Sequence, residues 1–81
     1  SYGEGKLLLV REWIEKLESL YGKTTALEAW SDSINDLPLL KFAAGFEPAG
    51  RAVAANADPM LLEVARRHGW EQVELFDKKK E

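Results

Sequence analysis

Apolar and polar positions change period several times along this chain. From Leu7 to Tyr21, Val10, Trp13, Ile14, Leu17, Leu20 and Tyr21 recur at the three, four and seven spacing of one helical face. Glu12 and Lys16 lie one turn apart on the outer side, in the favourable order for a helical ion pair. Gly22 is placed to stop the helix. From Thr24 to Trp30 the period shortens to two: Thr25, Leu27 and Ala29 share one face, and Ala26, Glu28 and Trp30 the other. That pattern predicts a strand, in which Glu28 sits awkwardly unless it lies near a wet end. A short helix follows over Leu37 to Ala44, with Asp36 as N-cap, Pro38 in the first turn and Gly45 at the end. Pro48 and Gly50 break the next stretch into a loop. Arg51 to Ala55 reads as a short buried strand. Asn56-Ala57-Asp58-Pro59 is a helix start with Asp58 as cap, and Leu61, Leu62, Val64 and Ala65 are its core candidates. Gly69 closes that helix after His68, and Gln72 to Phe76 reads as a last strand.

Helix and strand thus alternate as αβαβαβ, which predicts an α/β fold with a short parallel sheet and crossover helices. No linker divides residues 1–81, so they form one unit. A doubly wound domain normally opens on a strand whose loop carries chemistry. This chain opens on a helix, and the expectation is a partial Rossmann-like domain that lacks its N-terminal half. Composition narrows the classes further. An apolar fraction of 46% fits a globular chain rather than a disordered one. With 81 residues the core is small. There is no cysteine, which excludes disulfides and thiolate zinc sites. No apolar run reaches the roughly 20 residues needed to span a bilayer. No signal peptide precedes the first helix, so a cytoplasmic location and no membrane partner are expected. The net charge of −3 gives no electrostatic case for nucleic acid. Lys78-Lys79-Lys80 ends in Glu81 and reads as a solvated tail. Trp13, Trp30 and Trp70 read as packing residues, because no basic groove accompanies them as a base-stacking platform requires.

The candidate chemistry is concentrated in Ser31-Asp32-Ser33-Ile34-Asn35-Asp36-Leu37-Pro38-Leu39-Leu40. Asp32, Asn35 and Asp36 fall just after a predicted strand, where open α/β sheets place their ligands. Carboxylates crowded together repel each other, which makes a cation the natural partner. Two plainer roles stay open: an Asx-turn for Asp32 and a helix cap for Asp36. Upstream, Gly3-Glu4-Gly5-Lys6 puts a cation near a helix start, where it opposes the macrodipole at a cost of about 0.3–1 kcal/mol. The flanking glycines permit close backbone approach. Taken alone, Lys6 reads as a surface residue. Asn56 and Asp58 read as turn and cap, and His68 as a surface residue at a helix C-terminus.

The string Asp-x-x-Asn-Asp-x-Pro-x-Leu, with Gly-x-Gly-Lys before it and Asn-x-Asp-Pro through His-Gly-Trp after it, resembles the haloacid-dehalogenase (HAD) superfamily. The nearest branch is the phosphoserine-phosphatase-like one, subfamily IB, and the likeness covers the later half of its catalytic domain. The resemblance implies a three-layer Rossmann-like fold and a Mg²⁺-dependent phosphomonoester phosphatase that acts through an aspartyl-phosphate. It further implies that Asp32 ligates Mg²⁺ directly or through water and that Asp36 serves the metal less directly. Lys6 would neutralise the phosphoryl group and the nucleophile, and Asn35 would reach the phosphate region. Ser31 departs from the Gly found in many relatives. The Asp-x-Asp-x-Thr nucleophile loop, the Ser/Thr phosphate motif and the substrate-selecting cap are missing, so the chain alone is expected to be inactive. The substrate is expected to be a small phosphorylated compound; phosphoserine, histidinol phosphate and phospholipid head groups all occur in the branch. Two other readings remain: a phosphorylation-domain piece of a cation-transporting ATPase, which normally has Gly where Ser31 and Ser33 stand, and a non-catalytic α/β module with a metal-binding loop. A dinucleotide-binding domain is disfavoured, since no Gly-x-Gly-x-x-Gly follows a strand. In the family fold the nucleophile strand lies beside residues 24–30. Without it that edge is expected to be bare and prone to self-association.

Overall fold

Three parallel strands, each preceded by a helix, carry the chain. The computed structural model describes residues 2–74. The elements are α1 (Tyr2–Tyr21), β1 (Ala26–Ser31), a single 3-10 turn (Ile34–Asp36), α2 (Leu37–Ala44), β2 (Ala49–Ala55), α3 (Pro59–His68) and β3 (Glu71–Val73). The last strand, expected over Gln72 to Phe76, starts at Glu71 and stops before Glu74; Leu75, Phe76 and the basic tail at Lys78–Lys80 lie outside the described residues. The sheet order is β1-β2-β3, with Ala29 opposite Ala52 and Ala54 opposite Gln72. The architecture is α/β with a parallel sheet, consistent with a partial Rossmann-like fold. Among the described residues β1 pairs only with β2, so its outer edge has no strand beside it.

Both crossovers step the same way across the sheet, and their shared hand puts α2 and α3 on one face. The core lies there. Ala29, Ala52 and Ala54 from the strands meet Leu40 and Ala43 from α2 and Leu61 and Ala65 from α3. Alanine along β2 keeps the layer thin, so the helices sit close to the strands. Leu40 and Leu61 are fully buried, and each contributes about 1.5–3 kcal/mol of transfer free energy. Asp58 caps α3 as its sequence predicts, with its carboxylate accepting from the Leu61 N–H at 2.8 Å. Gly69 ends that helix in the left-handed conformation, at φ 72°.

The opposite face of the sheet explains Glu28. The Arg51 guanidinium bridges Glu28 on β1 and Glu71 on β3, in a ladder across all three strands. Arg51 Nε donates to Glu71 at 3.0 Å, and Trp30 Nε1 donates to Glu28 at 2.7 Å. The Arg51 guanidinium also lies 5.7 Å from the centroid of the Trp30 ring. The three ladder side chains are exposed, so Glu28 is not strained there. The indole N–H first, then Arg51, hold its carboxyl below the usual range; the Arg51 contact does the same for Glu71.

α1 ends at Tyr21 before Gly22 as expected, but differs from its expectation in its start and in its burial. It starts at Tyr2, not Leu7. Its first half packs on α2 and the 3-10 turn. The face expected to be buried is largely open: Trp13 is 64% exposed and Tyr21 83%, with Leu17 and Leu20 between them. Trp30 is exposed as well, whereas Trp70 packs against the core. Periodicity registers an amphipathic helix, but it does not register whether anything lies against the apolar side. Among the described residues no helix is long and apolar enough to cross a membrane.

Candidate functional site

β1 ends at Ser31, and the next residues turn sharply under hydroxyl control. The Ser31 hydroxyl accepts from the Ser33 N–H at 3.1 Å and donates to Asp36 Oδ2 at 2.6 Å. Ser33 in turn accepts from the Asn35 N–H at 3.1 Å, which caps the 3-10 turn. Asp36 stands at the N-cap position of α2 but makes no side-chain cap hydrogen bond. Its carboxylate is turned inward instead, and the residue is buried. Oδ2 is held by Ser31. Oδ1 takes no hydrogen bond, and the Lys6 ammonium stands 3.1 Å from it as an ion pair. The cap reading of Asp36 therefore holds for its place in the chain and not for its side chain.

Lys6 reaches this point because α1 begins against the loop. A Cβ on Gly3 would fall 1.9 Å from the Asn35 carbonyl oxygen, so only glycine permits the approach. Gly5 meets nothing comparable. The two glycines around Glu4 therefore have different standing: one sets the helix on the loop and the other faces open space. Lys6 itself lies in the second turn of α1, because the helix starts earlier than its apolar pattern.

Asp32 is exposed. With Asp36, Trp30, Ser31, Ala55 and Asn56 it lines a shallow depression at the carboxyl ends of β1 and β2. The structure thus brings Lys6, Asp32 and Asp36 to one place. Asn35 is exposed beside them, and its backbone carbonyl meets α1 at Gly3. His68 is remote from the loop's contacts and stacks on Trp70 at 4.7 Å. Oxygen donors of the loop suit a hard cation, and Mg²⁺ needs only one or two carboxylates because it keeps several waters. Asp36 Oδ1 is already paired with the Lys6 ammonium, so Asp32 is the loop carboxylate open to a cation. Among the described residues no group of three His, Cys, Asp or Glu side chains is gathered to hold a metal ion.

Two contributors escape the sequence. Ser31 looks like a replaced glycine, yet its hydroxyl orients Asp36. Asp58 looks like a plain cap, yet its second oxygen accepts from the Ile34 N–H at 3.0 Å. Their partners are five and 24 residues away. A serine ahead of the loop carries a weak hint of the first contact, and nothing local signals the second.

No family model matches the chain. Over 73 residues it is 42% identical to a histidinol-phosphatase of Neisseria meningitidis serogroup C (strain 8013), a match that covers 86% of this chain and 29% of that protein. A crystal structure of a protein with unknown function from Bordetella pertussis Tohama I superposes with a TM-score of 0.69 at 34% identity. That match covers 90% of this chain and 30% of the other. The chain spans about three-tenths of the length of each protein it matches. The named relative is a phosphatase and the structural neighbour shares the fold, and together they support the resemblance drawn from the sequence.

Proposed function

We propose that this chain is the charge-carrying part of a Mg²⁺-dependent phosphomonoester phosphatase. The observation that carries the proposal is the meeting of two separate motifs: Lys6 from the start of α1 lies 3.1 Å from Asp36 of the acidic loop, beside the exposed carboxylate of Asp32. Catalysis of phosphoryl transfer is mostly positioning and charge compensation. In this reading an Asp carboxylate from outside the chain attacks phosphorus, the ester oxygen leaves, and water hydrolyses the aspartyl-phosphate. Lys6 neutralises charge on the phosphoryl group and on that nucleophile. Asp32 and, less directly, Asp36 hold the cation, which supplies further compensation for the phosphoryl oxygens when bound. Asn35 orients the phosphate region. Alone, the chain has no nucleophile and does not turn over. The substrate is a small phosphate monoester, with histidinol phosphate the first to try, given the named activity of the Neisseria relative. A cytoplasmic setting belongs to the same proposal, as does self-association of the isolated chain through the bare β1 edge.

The test is a chimaera in which this chain replaces the matching segment of the Neisseria protein. Phosphate release from histidinol phosphate with Mg²⁺ is measured for the chimaera, for its Asp32→Asn and Lys6→Ala variants, and for the isolated chain. Activity in the chimaera that both substitutions cut severely, with none in the chain alone, is the expected result. Indifference to Asp32→Asn in a folded chimaera would overturn the assignment.

A further inference from the structure

We infer that Asp58 is a positioning residue for the acidic loop, an inference that rests on the metal-binding role proposed for Asp32. Asp58 lies outside the loop, at the start of α3, and its pattern in sequence accounts only for a helix cap. Besides its carbonyl, which accepts the helical bond from the Leu62 N–H at 3.0 Å, it makes three contacts with two different destinations. Oδ1 accepts from the Leu61 N–H at 2.8 Å and caps α3. Oδ2 accepts from the Ile34 N–H at 3.0 Å. The Asp58 N–H donates to the Asp32 carbonyl at 2.9 Å. The last two hold the loop backbone at Asp32 and again two residues on, so the segment that carries the exposed carboxylate is pinned from α3.

The chain is shaped to deliver Asp58 there. Asn56 ends β2 with φ 47°, a left-handed turn that few non-glycine residues adopt, and its N–H donates to the Val73 carbonyl at 2.8 Å. This turn sends the chain back over the end of β1. A carboxylate has two oxygens and can serve the cap and the loop at once. A hydroxyl or carboxamide supplies one acceptor oxygen and serves the cap. Groups that orient metal ligands from behind typically govern affinity as strongly as this requires: their loss costs roughly 10- to 100-fold.

This division of labour sets the experiment. Asp58→Ser keeps a good helix cap and removes the contact to Ile34. Asp58→Asn keeps the shape and one acceptor but turns an N–H toward the Ile34 N–H. Mn²⁺ is titrated into the ¹⁵N-labelled chain, and paramagnetic broadening of the Asp32 and Ser33 amides gives its affinity. Amide exchange at Ile34 and the thermal midpoint are read on the same samples. The expected result is a thermal midpoint close to that of the parent chain, loss of protection at Ile34, and Mn²⁺ affinity lower by about 10-fold or more in both variants. Unchanged Mn²⁺ affinity in the variants, with the parent chain binding at Asp32, would overturn the inference while leaving the metal reading intact. If the parent chain shows no broadening at Asp32 at all, the metal reading fails, and this inference fails with it. Should Asp58→Ser fail to fold, Asp58→Asn alone decides by the same two outcomes.

Discussion

The ion pair between Lys6 and Asp36 can be isolated by substitution. Lys6→Met keeps an apolar stem of similar length and removes the charge; Asp36→Asn retains an acceptor for the Ser31 hydroxyl. At 3.1 Å the gross attraction is several kcal/mol even at an effective dielectric of about 20, but desolvation offsets much of it. Exposure decides the net value. The Asp36 side chain is 12% exposed and that of Lys6 41%, which places the pair between two known regimes. Exposed pairs contribute about 0.2–1 kcal/mol, and breaking a buried pair costs about 3–5. A net coupling of about 1–2 kcal/mol is expected. Urea unfolding of the parent chain, both single variants and the double variant gives that coupling as the non-additive part. With a urea slope near 1 kcal/mol/M for a chain this small, Lys6→Met should move the midpoint down by roughly 1–2 M. The double variant should recover part of that loss, because the buried carboxylate is no longer left without a counter-charge. Additive effects, with a coupling under about 0.3 kcal/mol, would refute the claim that the pair locks α1 to the acidic loop.

Two further outcomes follow from other parts of the molecule. Gly3→Ala puts a methyl group 1.9 Å from the Asn35 carbonyl oxygen, where only backbone movement relieves the clash; thermal unfolding should show a loss of about 1–3 kcal/mol, with amide shifts spreading from Asn35 into α2. The ladder of Glu28, Arg51 and Glu71 makes stability sensitive to acid. Both carboxyls are held below their ordinary value of 4.5, so their contribution is complete above that pH and is lost as pH falls through the lowered values. Urea midpoints from neutral pH to below 4.5 should fall less steeply in Arg51→Met than in the parent chain.

What the sequence discloses here depends on distance along the chain. Asp58 before Pro59, and Gly69 after His68, are local signals, and both ends of α3 lie where they point. The alternation around Leu27 and Ala29 fixes which face of β1 is buried, because side-chain direction in a strand is a period-two property. The same logic fails for α1. Trp13, Leu17 and Tyr21 form an apolar face, yet among the described residues nothing covers it. The early start of α1 escapes because Gly3 and Gly5 are poor helix formers, and the contact with Asn35 that favours Gly3 is tertiary. Glu28 looks misplaced until Arg51 and Glu71, on neighbouring strands, are set beside it. In the candidate site, the residue types of the acidic loop are legible and their division of tasks is not. Asp36 gives up capping for Lys6 and Ser31, and Asp58 takes up a second contact with a residue 24 positions away.

The most direct test of the account is phosphate release by the chimaera that carries this chain in the Neisseria histidinol-phosphatase, compared with its Asp32→Asn variant under saturating Mg²⁺. The account predicts a working chimaera whose turnover falls by about 100-fold or more on that substitution, the scale of losing one preorganised charge group. Equal turnover in the two folded proteins would contradict it.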